Sequence, residues 1–131
     1  MNWVFNFNER AKNVLRFVNN KGEVIDWRIR GKNNIENIAV GQEGVVKTGR
    51  KIRDKEPGYH AVVKVTDLHY DENGVMDYVT IENTRVLDEK NNVIFNLIED
   101  ELIETYSERT KHWQLPVFPM EEEVLERILN Q

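Results

Sequence analysis

Cysteine is absent from the 131 residues, and proline is scarce, at three. Without a thiol the chain has no disulfide, no thiolate metal site and no cysteine nucleophile, and it suits a compartment that is not oxidising. Histidine is as scarce. His60, His69 and His112 lie too far apart for a local metal motif, and neither HExxH nor a calcium-loop pattern of carboxylates occurs. His60 and His69 are expected to face solvent on or beside a strand. No apolar run of about 18 residues is present, and the start MNWVFNFNERAK has no basic stretch leading into an apolar one. These features predict a cytoplasmic protein with no membrane partner.

Patterns for nucleotide and acyl chemistry are missing as well. GxxxxGK[ST] and GxGxxG do not occur, and the nearest stretch, GQEG at 41–44, lacks the lysine and the following helix that would hold a phosphate. No serine or threonine sits in a GxSxG elbow, and acidic neighbours such as Glu99 and Asp100 are what a charged helix face produces. With no catalytic constellation, the expectation is a binding protein, not an enzyme, that needs no cofactor and no metal.

What is present is the composition of an ordinary folded domain: 15.5 kDa, 40% hydrophobic and 31% charged residues. That is one domain spanning 1–131, long enough to bury about two thirds of its unfolded surface. The net charge of −5 hides a polarity. From Trp27 to Arg53 seven Lys and Arg face two Glu, a net of +5, whereas from Glu99 to Gln131 nine acidic residues face three basic ones, a net of −6. The acidic part is expected to face away from any polyanion that the basic part holds.

Along the chain, Asn2–Asn6 (NWVFN) reads as a strand of aromatic and β-branched residues, and Asn8 as a cap for a helix over Glu9–Val18 whose Ala11, Val14, Leu15 and Val18 share one face. A short strand over Glu23–Ile29 and a helical turn over Asn33–Ala39, with Ile35 and Ile38 on the core, come next. VGQEGVV is a turn opening a strand. Tyr59–Leu68 alternates apolar and polar residues, apart from Val62, and Asp71–Gly74 turns it into an antiparallel partner, Met76–Val86. A second turn at DEKNN follows. Val93–Ile98 is either a strand or the start of a helix toward Tyr106. A loop carries Trp113, Pro116 and Pro119, and Met120–Leu129 is a helix with an acidic first turn.

Two basic stretches lie close to aromatic residues. Trp27-Arg28-Ile29-Arg30 and Lys47-Thr48-Gly49-Arg50-Lys51 pair a flat π surface with cations, the combination that grips a phosphate backbone and stacks an exposed base. A solvated basic loop beside a buried tryptophan is the simpler alternative.

The order of these segments resembles the EVE domains of the PUA-like superfamily: NWVFNFN, DWRIRGKNNIENI, VGQEGVV and PGYHAVVKVTDL in sequence, then a polar, aromatic loop and helix in HWQLPVFPMEEEVLERIL. The resemblance covers nearly the whole chain. It departs from the family at Gln42, where the turn glycine is usually followed by aspartate. It implies an α+β fold, a PUA-like, strongly bent and mostly antiparallel β-barrel with flanking helices. It also implies a reader of modified bases in DNA or RNA, of the kind attached to modification-dependent restriction systems, with a nuclease or ATPase module in the same chain or complex as partner. Such readers flip a base out of the helix into an aromatic cage, and stacking plus edge hydrogen bonds offset the lost pairing. Carried over by position, the resemblance nominates Trp27 and Trp113 for stacking and Asn6 and Asn8 for a base edge. Lys47, Thr48 and Arg50 would take phosphates, with Arg28, Arg30 and Tyr59 completing the nucleic-acid surface. The alternative from the residues themselves is a protein-interaction or inhibitor module whose acidic C-terminal helix docks on a basic partner. A further alternative is an enzyme on the same barrel, for which no residue can be nominated.

Overall fold

The computed structural model describes residues 1–7, 12–29, 35–87 and 93–131. Asn8, Arg30, the first residues of the expected first helix and the DEKNN turn lie outside the described residues. Among the described residues six strands and three α-helices follow in the order β1 (Asn2–Phe7), α1 (Lys12–Asn19), β2 (Val24–Arg28), β3 (Glu43–Thr48), β4 (Gly58–Tyr70), β5 (Met76–Val86), α2 (Glu101–Thr110), β6 (Val117–Met120) and α3 (Glu122–Leu129). The strands form one sheet in the order β2-β5-β4-β3-β1-β6. The fold is therefore mixed α+β, and among the described residues no helix is long and apolar enough to cross a membrane.

Both faces of the middle of the sheet are covered, which explains the strand sequences. On one face Trp3, Phe5, Phe7, Val46, Ala61, Val63, Val79 and Ile81 pack with Val14, Phe17 and Val18 of α1 and with the turn carrying Ile35 and Ile38. On the other, Val4, Val45, Tyr59, Val62 and Phe118 pack with Ile103 and Tyr106 of α2 and with Val124, Leu125 and Ile128 of α3. A strand buried on both sides has no polar side to show, so Val62, the exception to alternation, belongs to the second core. Further along β4 only one side is covered, and Lys64 and Thr66 reach solvent.

The turn before β3 is held by Gln42. Gly41 adopts φ +96°, a region open to glycine. The Gln42 Oε1 then accepts from the Trp3 indole N–H at 2.7 Å and from the Ala39 amide at 2.8 Å. Its longer side chain fixes the local amide, as an aspartate would, and also ties the turn to β1.

Two expectations are corrected. The sheet is open, with β2 and β6 as separate edges, and not a closed barrel. Register shifts interrupt the β4–β5 ladder at three places. The Trp27 indole N–H donates to Pro116 O at 3.2 Å, but among the described residues no strand ladder joins β2 to β6. As expected, the pairing is mostly antiparallel: β1 and β3 run parallel, and the other four pairings are antiparallel. Last, the Pro-flanked loop contains a strand. Proline is tolerated in β6 because it pairs with β1 alone and its outer side needs no donor. Met120 thus ends a strand, and the last helix starts at Glu122. The ambiguous Val93–Ile98 holds a short 3-10 turn, Phe95–Leu97, and the helix toward Tyr106 begins later, where the Asp100 carboxylate caps the Leu102 and Ile103 amides.

Candidate functional site

Asn6 of β1 and Tyr59 of β4 are the register partners of Lys47 on either side of β3. All three face α2 and α3. The β3–β4 register shifts next to Lys47, with His60 as the extra residue on β4.

Lys47 is 1% exposed, although its strand position after two valines and its basic neighbours suggest a solvated side chain. Its ammonium lies 5.7 Å from the centroid of the Phe95 ring and 5.5 Å from that of Phe118, with the Thr110 carbonyl at 3.4 Å. Two aromatic faces and a carbonyl at the C-terminal end of a helix are each favourable to a cation. Among the described residues no carboxylate pairs with it, and burial pushes its pKa below the ordinary lysine value. This is a charge taken out of water without a countercharge, an expensive arrangement unless something else uses it.

The rings continue outward as an arc. The Tyr59 and Phe95 centroids are 5.2 Å apart, edge to face, and so are those of Phe118 and Trp113. Trp113 is 40% exposed, whereas Trp3 and Trp27 are buried. The Asn6 side-chain amide holds the Trp113 loop by donating to Trp113 O at 3.1 Å and Leu115 O at 3.3 Å. Tyr59 is anchored by a 2.7 Å hydroxyl contact with Ser107 of α2, and its buried hydroxyl is pushed well above its ordinary pKa.

The nominated residues therefore divide. Asn6, Lys47, Tyr59 and Trp113 come together. Trp27 lies in the opposite core, edge-on to Phe5 at 5.9 Å, and shows no face to a ligand. Thr48 is buried with its hydroxyl 2.8 Å from His60 Nε2 and offers nothing to a phosphate. Arg28 and Arg50 are exposed, on the β2 edge and after β3, while Asn8 and Arg30 lie outside the described residues. Phe95, Phe118 and Thr110 join the site although the sequence singled out none of them, and each is brought in by an element placed only by tertiary packing. Lys47 also departs from the expected charge separation, because it sits on the side of the sheet that the acidic helices cover.

His60 is corrected from a solvent-facing residue to a buried one, 2% exposed. Burial, and then the charge of Lys55, lower its pKa to about 4. His69 is half-buried, 2.6 Å from the Thr80 hydroxyl, which donates to Asp26 at 2.6 Å. Among the described residues no three His, Cys, Asp or Glu side chains are placed to hold a metal ion.

No protein-family model and no curated protein matches the sequence. Solved structures do match in fold. PSPTO5229 of Pseudomonas syringae superposes with a TM-score of 0.70 at 14% identity, covering 99% of this chain and 98% of that one. A Pseudomonas putida protein gives 0.68 at 12%, with 99% and 98% covered. Atu2648 of Agrobacterium tumefaciens gives 0.59 at 17%, with 98% and 90% covered. At such identities the likeness is one of fold.

Proposed function

We propose that this protein reads a base of DNA or RNA, of the EVE type, by stacking a flipped nucleotide against Trp113 at the mouth of the aromatic arc. One observation carries the reading: a solvent-accessible indole, continuous through Phe118 with a buried ammonium and held in place by the Asn6 amide. Stacking on an aromatic ring contributes about 1–3 kcal/mol per base, enough to offset much of the cost of extrusion. Arg28, exposed on the β2 edge, is assigned to the flanking backbone. A nuclease or ATPase module acting with this reader fits the same reading. The rival in which α3 docks on a partner loses its apolar anchor, since Val124, Leu125 and Ile128 are spent on the core.

The test is fluorescence anisotropy with short DNA and RNA duplexes, unmodified, methylated or hydroxymethylated, at low and physiological salt. Trp113→Ala, with its fold checked by circular dichroism, is expected to weaken binding about tenfold or more. Absence of binding to every duplex at low salt would sink the reading.

A further inference from the structure

We propose that Lys47 is the specificity-determining group of this site and that it selects a base carrying an anionic, carboxylate-type substituent; the inference rests on the base-reader reading above. Three observations lead to it. The ammonium is buried, its one hydrogen-bond partner among the described residues is Thr110 O at 3.4 Å, and both rings against it belong to the arc that ends at Trp113. An ammonium has three N–H donors, so most of its capacity is unspent.

An apolar substituent such as a methyl group, brought against that ammonium, would leave its donors unsatisfied and its charge unmatched. A carboxylate would supply the missing countercharge and accept two charge-assisted hydrogen bonds in a place sheltered from water. The lowered proton affinity of Lys47 agrees with this, because a buried cation without a countercharge titrates early and one given a countercharge titrates late. Of the two rings against Lys47, Phe95 is half-buried and Phe118 fully buried, so the proposal requires the Phe95 ring to turn aside, a rotamer change common on binding.

The experiment compares duplexes carrying 5-carboxylcytosine, 5-methylcytosine or unmodified cytosine, against wild type, Lys47→Met and Lys47→Arg. Wild type is expected to prefer the carboxylated duplex over the methylated one by on the order of tenfold or more, the worth of a hydrogen bond to a charged group. Lys47→Met should erase that preference, and Lys47→Arg should keep part of it. In wild type the Lys47 side-chain NMR signal, assigned by its absence from Lys47→Met, should titrate at higher pH once the carboxylated duplex is bound. This readout needs no folded variant beyond the one used for assignment, and the duplex preference itself needs none. Equal or tighter binding of the methylated duplex overturns the proposal and makes Lys47 a packing element. A Lys47→Met variant that weakens all duplexes equally overturns it in favour of a backbone-phosphate contact. If no duplex binds at all, the base-reader reading fails first and this inference with it.

Discussion

Acidifying the protein from pH 7 to pH 4 should cost it stability through His60. In the folded chain the imidazole is buried, and Thr48 Oγ1 lies 2.8 Å from its Nε2. Burial first, then repulsion from Lys55, hold its pKa at about 4 against an ordinary 6.5. Above pH 6.5 both folded and unfolded chains carry the neutral ring, and His60 adds no pH dependence. Between 6.5 and 4 the unfolded chain takes up a proton that the folded chain refuses, so stability falls as pH falls. At about 1.4 kcal/mol per pKa unit, the gap amounts to about 3 kcal/mol, a large share of a small domain's stability. Carboxylates titrate in the same window, so the measurement is a difference: urea unfolding of wild type and His60→Gln at pH 7, 5.5 and 4. The wild type should lose about 3 kcal/mol more than the variant over that range. A difference that stays flat, or a His60 ring that titrates near its ordinary value by NMR, would refute the burial argument.

Two further outcomes follow from the β1–β3 junction. Gly44→Ala places a Cβ 2.2 Å from the Trp3 carbonyl oxygen, so strands β1 and β3 must separate. The melting temperature should fall by an amount matching about 3 kcal/mol or more, as for overpacking against unyielding backbone. Gln42→Ala removes the acceptor shared by the Trp3 indole and the Ala39 amide. The expected loss is about 1–3 kcal/mol, with a change in Trp3 fluorescence, and unchanged stability would refute the bridging role.

Local rules carried much of the fold. Alternation set the β4–β5 hairpin, which ends its second strand at Val86 as expected. Gly74, at φ +76°, makes the turn between them. The apolar stripe of α3 and the burial of Ile35 and Ile38 came from spacing alone. Pattern failed where one residue type serves two environments. A tryptophan beside arginines reads the same whether it stacks on a base or fills a core, and Trp27 fills the core.

The sequence by itself determined which residues could form strands, turns and helix faces, since those preferences act between near neighbours. Tertiary structure alone decided the site. Asn6 meets Trp113 across 107 residues and Lys47 meets Thr110 across 63, contacts that no local preference encodes. The open sheet, the parallel β1–β3 pair and the edge strand β6 belong to the same class, because each depends on which surfaces the folded chain brings together. Whether a lysine is solvated or buried between two rings is a property of its neighbours, and those neighbours come from distant parts of the chain.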